Sequence, residues 1–456
     1  MNALATDDPT SYRPVLRLAL PAIGYSILQT LIFIADRAMI GRFSSTGLAS
    51  MQIASVIEWS LGSIFMALEV GVLARIGFLY GAREFPRVRS LAKNALAIAM
   101  TLGVFVAIGT PLVRASLGGF GGGSPESVIR GAADYLLFTI AASPFVYVGI
   151  ASAAIFQGIN DTRTPLIVGV LANILHVPLN VVFIFGGLGV PAMGIKGCGI
   201  SSALTFALEA ILLAIALGLR LRALGRDSAD RKVALSDARD AFRIAIPSFA
   251  ERVVFHAGYL TFISIINRLG EESMAANQVL ISIEAICFLG ADGFAVAAAS
   301  LVAQRKGAKD LGGAVRSAKT ALVLGTSALF VAGVVSLVGR DLFIPFFSPD
   351  PKVQALARSI IVLFLVAEPL LAYASIVGQS LRGAGHTFDA LITTILSAVV
   401  IRVSLTWFFG IHLGLGLFGV WIGSTVDWGM RSVMLFLFAR YRIKEAFRAE
   451  AASVRG

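Results

Sequence analysis

Residues 18–36 read LALPAIGYSILQTLIFIAD, eighteen uncharged residues and then an aspartate. A helix crosses the hydrocarbon core of a bilayer with about 20 apolar residues. The stretch is therefore long enough to span, and it ends on a charge that lipid does not tolerate without a partner or a wet cavity. Apolar stretches of similar length recur along the 456 residues, at 14–40, 48–78, 91–113, 135–156, 165–185 and 200–219, and again at 244–266, 275–302, 320–338, 360–381, 390–409 and 417–438. Hydrophobic types make up 57% of the chain and charged types 14%, against about 25% charged in a soluble domain. That balance excludes an ordinary soluble protein and a disordered one. Runs this long read as helices, not as the alternating strands of a barrel. The expected fold is an all-α polytopic membrane protein with twelve transmembrane helices.

The charge distribution predicts an orientation. With the N-terminus inside, 26 of the 38 Lys and Arg fall in cytoplasmic segments and eight in external ones, the bias that orients membrane helices. Both termini are expected in the cytoplasm, and the net charge of +11 is read as topological, not as a nucleic-acid surface. Residues 1–11 are polar and carry Asp7 and Asp8 in place of a basic leader, so the first stretch is expected to stay as a membrane helix.

The chain also repeats itself. Arg17-Leu18-Ala19-Leu20-Pro21 returns as Arg243-Ile244-Ala245-Ile246-Pro247, and Gly81-Ala82-Arg83-Glu84 as Gly307-Ala308-Lys309-Asp310. Gln52 and Glu58 return as Gln278 and Glu284, all at one offset of 226, and the turn at 158–162 answers 383–387 at 225. An even number of helices separates equivalent positions. The halves should share orientation and be related by a pseudo-two-fold axis along the membrane normal, the parallel-repeat design of alternating-access transporters. The expected organisation is a cytoplasmic N-terminus at 1–13, a six-helix lobe at 14–219, a cytoplasmic linker at 220–243, a second six-helix lobe at 244–438 and a cytoplasmic tail at 439–456.

Charged and polar groups inside the spans form the functional shortlist, because each charge costs about 2.5–3.5 kcal/mol to insert. Asp36 is first: it is either a cation or proton site or the partner of Arg37. In the fifth span Asn173, His176 and Asn180 fall at i, i+3 and i+7, one stripe of a helix. Pro178 lies among them and removes the hydrogen bond to the carbonyl of Ile174. Ser202 adds a hydroxyl from the sixth span. The repeated Gln52/Glu58 and Gln278/Glu284 pairs serve either symmetric packing or cavity lining. Glu69, Glu209, Glu251, Asp292 and Glu368 are further candidates, with Glu251 and Glu284 preferred in the second half. Asp427 and Arg431 are four apart and read as a structural ion pair, with Arg402 in the same network. Phe33, Phe65, Phe255 and Phe288 are candidates for aromatic contact with flat cations.

Signals for catalysis are missing. There is no phosphate-binding loop, zinc helix motif or serine elbow, the two cysteines build no framework, and no Cys/His cluster has metal spacing. The glycine-rich stretch 118–123 reads as a flexible external loop. The expectation is a non-enzyme without cofactor, driven by an ion gradient or by its substrate's own gradient.

Particular motifs resemble the multidrug and toxic compound extrusion (MATE) family, in the superfamily that includes lipid-linked sugar flippases. They are the first helix LPAIGYSILQTLIFIADRAMIGR with its Leu-Pro start, Gln29 and Asp36; FQGINDTRTPL at 156–166; NILHVPLNVVFIFG at 173–186 with GIKGCGISSA at 194–203; and LRGAGHT at 381–387. The resemblance implies a cation-coupled antiporter in the cell inner membrane that exports organic cations, drugs and other amphipathic compounds and works as a monomer. It implies an ion site at Asp36 for H+ or Na+, with His176, Asn180 and Ser202 beside it and no other metal. Asn180 stands where many members have aspartate. The tenth-helix position of a second coupling aspartate holds Leu371, with Glu368 one turn earlier. The alternatives of the same superfamily are a lipid-linked precursor flippase and a narrow-substrate metabolite exporter.

Overall fold

The computed structural model describes residues 12–120, 125–225, 229 and 231–455. The polar N-terminus at 1–11, with Asp7 and Asp8, and residues 121–123 of the glycine-rich stretch lie outside them. Among the described residues the chain is helical, with a single isolated β-bridge between Gly187 and Val190. In chain order the helices are α1 (Arg13–Phe43), α2 (Ser45–Gly81), α3 (Phe85–Ile108), α4 (Thr110–Phe120), α5 (Glu126–Ala141), α6 (Ser143–Gly158), α7 (Arg163–Asn180) and α8 (Gly194–Ala223). They continue as α9 (Arg231–Asn267), α10 (Glu271–Gly307), α11 (Leu311–Val338), α12 (Arg340–Phe347), α13 (Pro351–Ile360), α14 (Phe364–Gly383), α15 (Thr387–Thr394), α16 (Arg402–Trp407) and α17 (Gly416–Arg455).

Ten helical segments among the described residues are long and apolar enough to cross a membrane. The fourth expected stretch, 135–156, is a broken one: α5 and α6 meet at Ala142 with a bend of 53° and together make an eleventh. The cause is local. Pro144 sits in the first turn of α6; it has no N–H to donate to the carbonyl of Ile140, and its ring crowds that carbonyl. The twelfth expected stretch lies within the 40-residue α17, which carries Asp427 and Arg431.

Sequence chemistry explains the helix ends. Ser44 caps α2 by accepting from Gly47 N at 3.1 Å, and Asp310 caps α11 by accepting from Gly313 N at 2.7 Å. The two repeated turns before α3 and α11 both place a non-glycine residue in the left-handed region, Arg83 at φ 60 and Lys309 at φ 59. The later pair of turns also enters that region, with Asn160 at φ 70 in the first and Gly385 at φ 87 in the second. The internal repeat is thus written in the backbone as well as in the letters.

The chain divides into two compact units. One is Gly24–Phe242, where α2 packs on α3, α5 and α6, and α8 on α5, α6 and α7. Its core includes Ile40, Met51, Leu136, Ile140 and Cys198. The other takes α1 up to Ile23 together with residues from Arg243 onward. There α10, α11, α14 and α17 pack around Phe294, Leu329, Leu371 and Ile376, and Val15, Leu18 and Ala19 of α1 join that same core. Two helices, α1 and α9, are each divided between the units. The first turns of α1 lie with the second half of the chain. The start of α9, expected as linker, belongs to the first unit: Asp237 is fully buried there and accepts from Arg75 at 2.6 Å and from Arg87 at 2.6 and 2.9 Å.

Candidate functional site

Asp36 is 5% exposed, on the part of α1 that belongs to the first unit. Its Oδ1 lies 2.7 Å from His176 Nε2 and accepts from Asn180 Nδ2 at 2.5 Å. Asn180 Nδ2 stands 3.0 Å from His176 Nε2, which closes a triangle of polar atoms. Behind the ring, His176 Nδ1 lies 2.8 Å from Thr205 Oγ1 and 3.4 Å from Ser201 Oγ, both on α8. His176 and Asn180 are fully buried. Hydrogen bonds to an ionised group are worth about 1.5–3 kcal/mol, enough for this set to offset the insertion cost of one carboxylate.

The local fold follows from two sequence features. Pro178 lies in the last turn of α7, and the chain continues as a widened π turn, Val181–Phe185, before Gly186 at φ 87 ends it. Such widened turns relieve a broken hydrogen-bond ladder and recur at functional sites. The glycines of GIKGCGISSA then let α8 approach. A Cβ on Gly197 would lie 2.1 Å from Phe183 O, and one on Gly199 would lie 2.9 Å from Tyr135 O. Only a residue without Cβ fits there, and that close packing brings the α8 hydroxyls to the histidine.

The structure brings together only some of the expected site residues. Asp36, His176 and Asn180 come together. Ser202 does not reach them: its hydroxyl donates to Cys198 O of its own helix at 2.9 Å, and Thr205, one turn further on, supplies the contact. Asn173 shares the stripe and is buried, but its Nδ2 has no hydrogen-bond partner among the described residues. Arg37 turns away from Asp36, donates to Ser55 Oγ at 3.1 Å and lies 4.0 Å from the Phe33 ring, so the adjacent-pair reading fails. Gln29 belongs to a second cluster, in which its Nε2 lies 3.0 Å from Tyr25 OH and that hydroxyl donates to buried Glu209 at 2.8 Å. Glu58 accepts from Tyr135 OH at 3.4 Å, while Gln52 is exposed.

In the second unit Glu251 is held by Arg382, whose Nε donates at 3.2 Å, and by Thr394 Oγ1 at 2.9 Å. That partnership makes Glu251 an ion-pair member. Gln278 is exposed and Glu284 half-buried. Glu368 is fully buried, and neither of its oxygens has a partner among the described residues. Asp427 accepts from Arg402 at 2.8 Å and lies 3.6 Å from Arg431, the network read from the sequence. Phe65 is buried in a stack on Tyr147 with ring centroids 4.2 Å apart, which is packing and not a cavity wall. Thr205, Ser201, Tyr25 and Tyr135 were absent from the expected set. The i, i+4 hydroxyl pair Ser201/Thr205 was the available signal.

A long helical membrane chain with an internal repeat and a buried acid hydrogen-bonded by a neighbouring helix has the architecture of a polytopic transporter. The MatE family model matches it twice, at residues 21–182 and 247–408, two segments that start 226 residues apart as the repeat does. The chain belongs to the MATE family, and is a multi-pass membrane transporter rather than an enzyme. It is 27% identical to the probable multidrug resistance protein NorM of Thermotoga maritima, over 94% of this chain and 92% of that one. The Neisseria meningitidis serogroup B protein of the same name is 27% identical over 81% of each. The fold is that of a MATE crystal structure in the straight conformation, at TM-score 0.87 and 21% identity over 97% of this chain and 98% of the other. A Pyrococcus furiosus transporter of the MOP superfamily, described as having a binding pocket of reversed polarity, matches at TM-score 0.87 and 20% identity over 96% and 97%.

Proposed function

We propose that this chain is a proton-coupled exporter of cationic and amphipathic small molecules, working as a monomer in the bacterial inner membrane with both termini cytoplasmic. The observation that carries the reading is the Asp36–His176–Asn180 triangle backed by Thr205. Both contacts to Asp36 Oδ1 come from nitrogen atoms. A hard cation such as Na+ wants oxygen ligands and would have to displace them. A proton needs no such displacement. The Thr205 hydroxyl donates to Ser201 O at 2.9 Å, which leaves its oxygen to accept from His176 Nδ1. The ring thus has an oxygen opposite each nitrogen, and the 2.7 Å contact between Asp36 Oδ1 and His176 Nε2 is a hydrogen bond in which the two groups share a proton.

In this reading the transport lobes are 14–219 and 244–438, joined through 220–243. Proton binding at the triangle reshapes α1, with Pro21 as its flex point because proline cannot complete the helical ladder, and the drug leaves. Reciprocal linkage requires that drug and proton each weaken the other. Multidrug relatives support the substrate class. The second reading, a flippase or narrow exporter of anionic substrates, draws on the buried cations Arg402 and Arg431.

The test is ethidium efflux from proteoliposomes under a proton gradient alone, a sodium gradient alone, and neither. Efflux driven by the proton gradient and abolished by Asp36→Asn is the expected result. Sodium-driven efflux overturns the ion assignment. No ethidium efflux from folded protein under either gradient moves the substrate reading to the anionic alternative.

A further inference from the structure

The second unit holds a cavity of about 480 Å3 between α10, α11, α14 and α17, within the size range of ligand sites. Its walls are apolar, built from Leu322, Tyr373, Val377, Leu381 and Phe436. Its rim carries Lys306, Lys319, Arg440, Arg442 and Lys444, and no Asp or Glu lines it. Two of those cations are committed. Arg442 donates to both oxygens of Asp389 at 2.7 and 2.8 Å, and Lys306 Nζ donates to Ala384 O at 2.5 Å. Lys319, Arg440 and Lys444 are exposed and make no hydrogen bond or ion pair among the described residues. The cavity therefore joins a greasy channel to three uncompensated positive charges. They lie in segments that the charge bias assigns to the cytoplasmic side.

We propose that this cavity binds an anionic phospholipid of the cytoplasmic leaflet, its phosphate on Lys319, Arg440 and Lys444 and one acyl chain along Leu322, Val377 and Phe436. Clustered Lys and Arg at that surface attract anionic headgroups, and basic pockets between membrane helices hold them. The ligand needs both parts: the rim recognises a phosphate but leaves the apolar walls wet, and the walls take a chain but leave the cations unpaired. His386 at the mouth adds no charge near neutral pH. Burial, and then the charges of Lys306 and Arg442, push its imidazole down to about 4. The site is separate from the Asp36 cluster, which belongs to the other unit.

The test uses the full-length protein in a neutral detergent, with binding read by native mass spectrometry. The probes are phosphatidylglycerol, phosphatidylcholine of the same chains, and glycerol 3-phosphate as headgroup alone. Retention of phosphatidylglycerol at least tenfold above phosphatidylcholine, with no retention of glycerol 3-phosphate, is expected. The triple variant Lys319→Gln/Arg440→Gln/Lys444→Gln should lose that preference while melting as the parent does, since the three side chains are exposed and unbonded. Equal binding of the two lipids, unchanged preference in the triple variant, or binding of glycerol 3-phosphate as tight as that of the lipid would each overturn the proposal. The last result would mark a free-phosphate site.

Discussion

At Asp36 the carboxylate sits against an imidazole and an amide, with the acceptors behind the ring supplied by a different helix. This arrangement separates two hydroxyls that lie three residues apart on α8. Thr205 Oγ1 contacts His176 Nδ1, whereas Ser202 Oγ bonds within its own helix. Thr205→Val leaves the buried ring N–H with only the longer 3.4 Å contact to Ser201 Oγ and should slow proton-driven efflux about tenfold, the effect of one lost hydrogen bond of roughly 1.4 kcal/mol. Ser202→Ala should stay within about twofold. Initial efflux rates at matched protein levels check the pair, and equal losses would remove Thr205 from the site. Asp36, His176 and Asn180 were legible from the sequence because a charge in lipid and a helical stripe both have simple physical costs. The choice between Ser202 and Thr205 was not. Successive positions on a helix differ by about 100°, and which one faces α7 depends on how α8 rolls against its neighbours.

Among the elements, the repeated turns show how far local chemistry reaches. Gly383 closes the second of them against α10, where a Cβ would lie 2.4 Å from Ala299 O, and Gly385 takes φ 87. Next to it His386 is partly buried, and burial together with Lys306 and Arg442 lowers its pKa to about 4. Its folded value lies below the ordinary value of about 6.5. The stability it contributes is therefore complete above pH 6.5 and is lost as pH falls from there toward 4. The protein should melt earlier at pH 5 than at pH 7.5, and His386→Gln should flatten that slope. Melting curves in detergent at the two pH values decide it, and an unchanged slope in the variant would show that other groups set the dependence. The turns were readable as letters repeated at a constant offset. The π turn after Pro178 and the break at Ala142 were readable only as prolines. How a freed carbonyl is satisfied depends on what packs beside it.

On the scale of the whole molecule, the 26-to-8 charge bias makes a topological prediction. Among the described residues Cys198 and Cys287 are both free and buried, so a background with both changed to alanine suits cysteine labelling. Lys352→Cys should react with a membrane-impermeant maleimide on intact cells, and Lys309→Cys only after the membrane is opened. Labelling in the reverse order would invert the orientation. The sequence by itself determined the membrane class, the helical content, the internal repeat and the acid on the first helix. Each follows from composition or spacing, since apolar length and charge cost are local properties of the chain. Tertiary structure decided that α1 contributes its first turns to one unit and Asp36 to the other, that Asp237 is buried between Arg75 and Arg87, and that Thr205 stands behind His176. Those outcomes depend on which helix faces meet. Packing between segments far apart in sequence sets that, and no window of residues contains it.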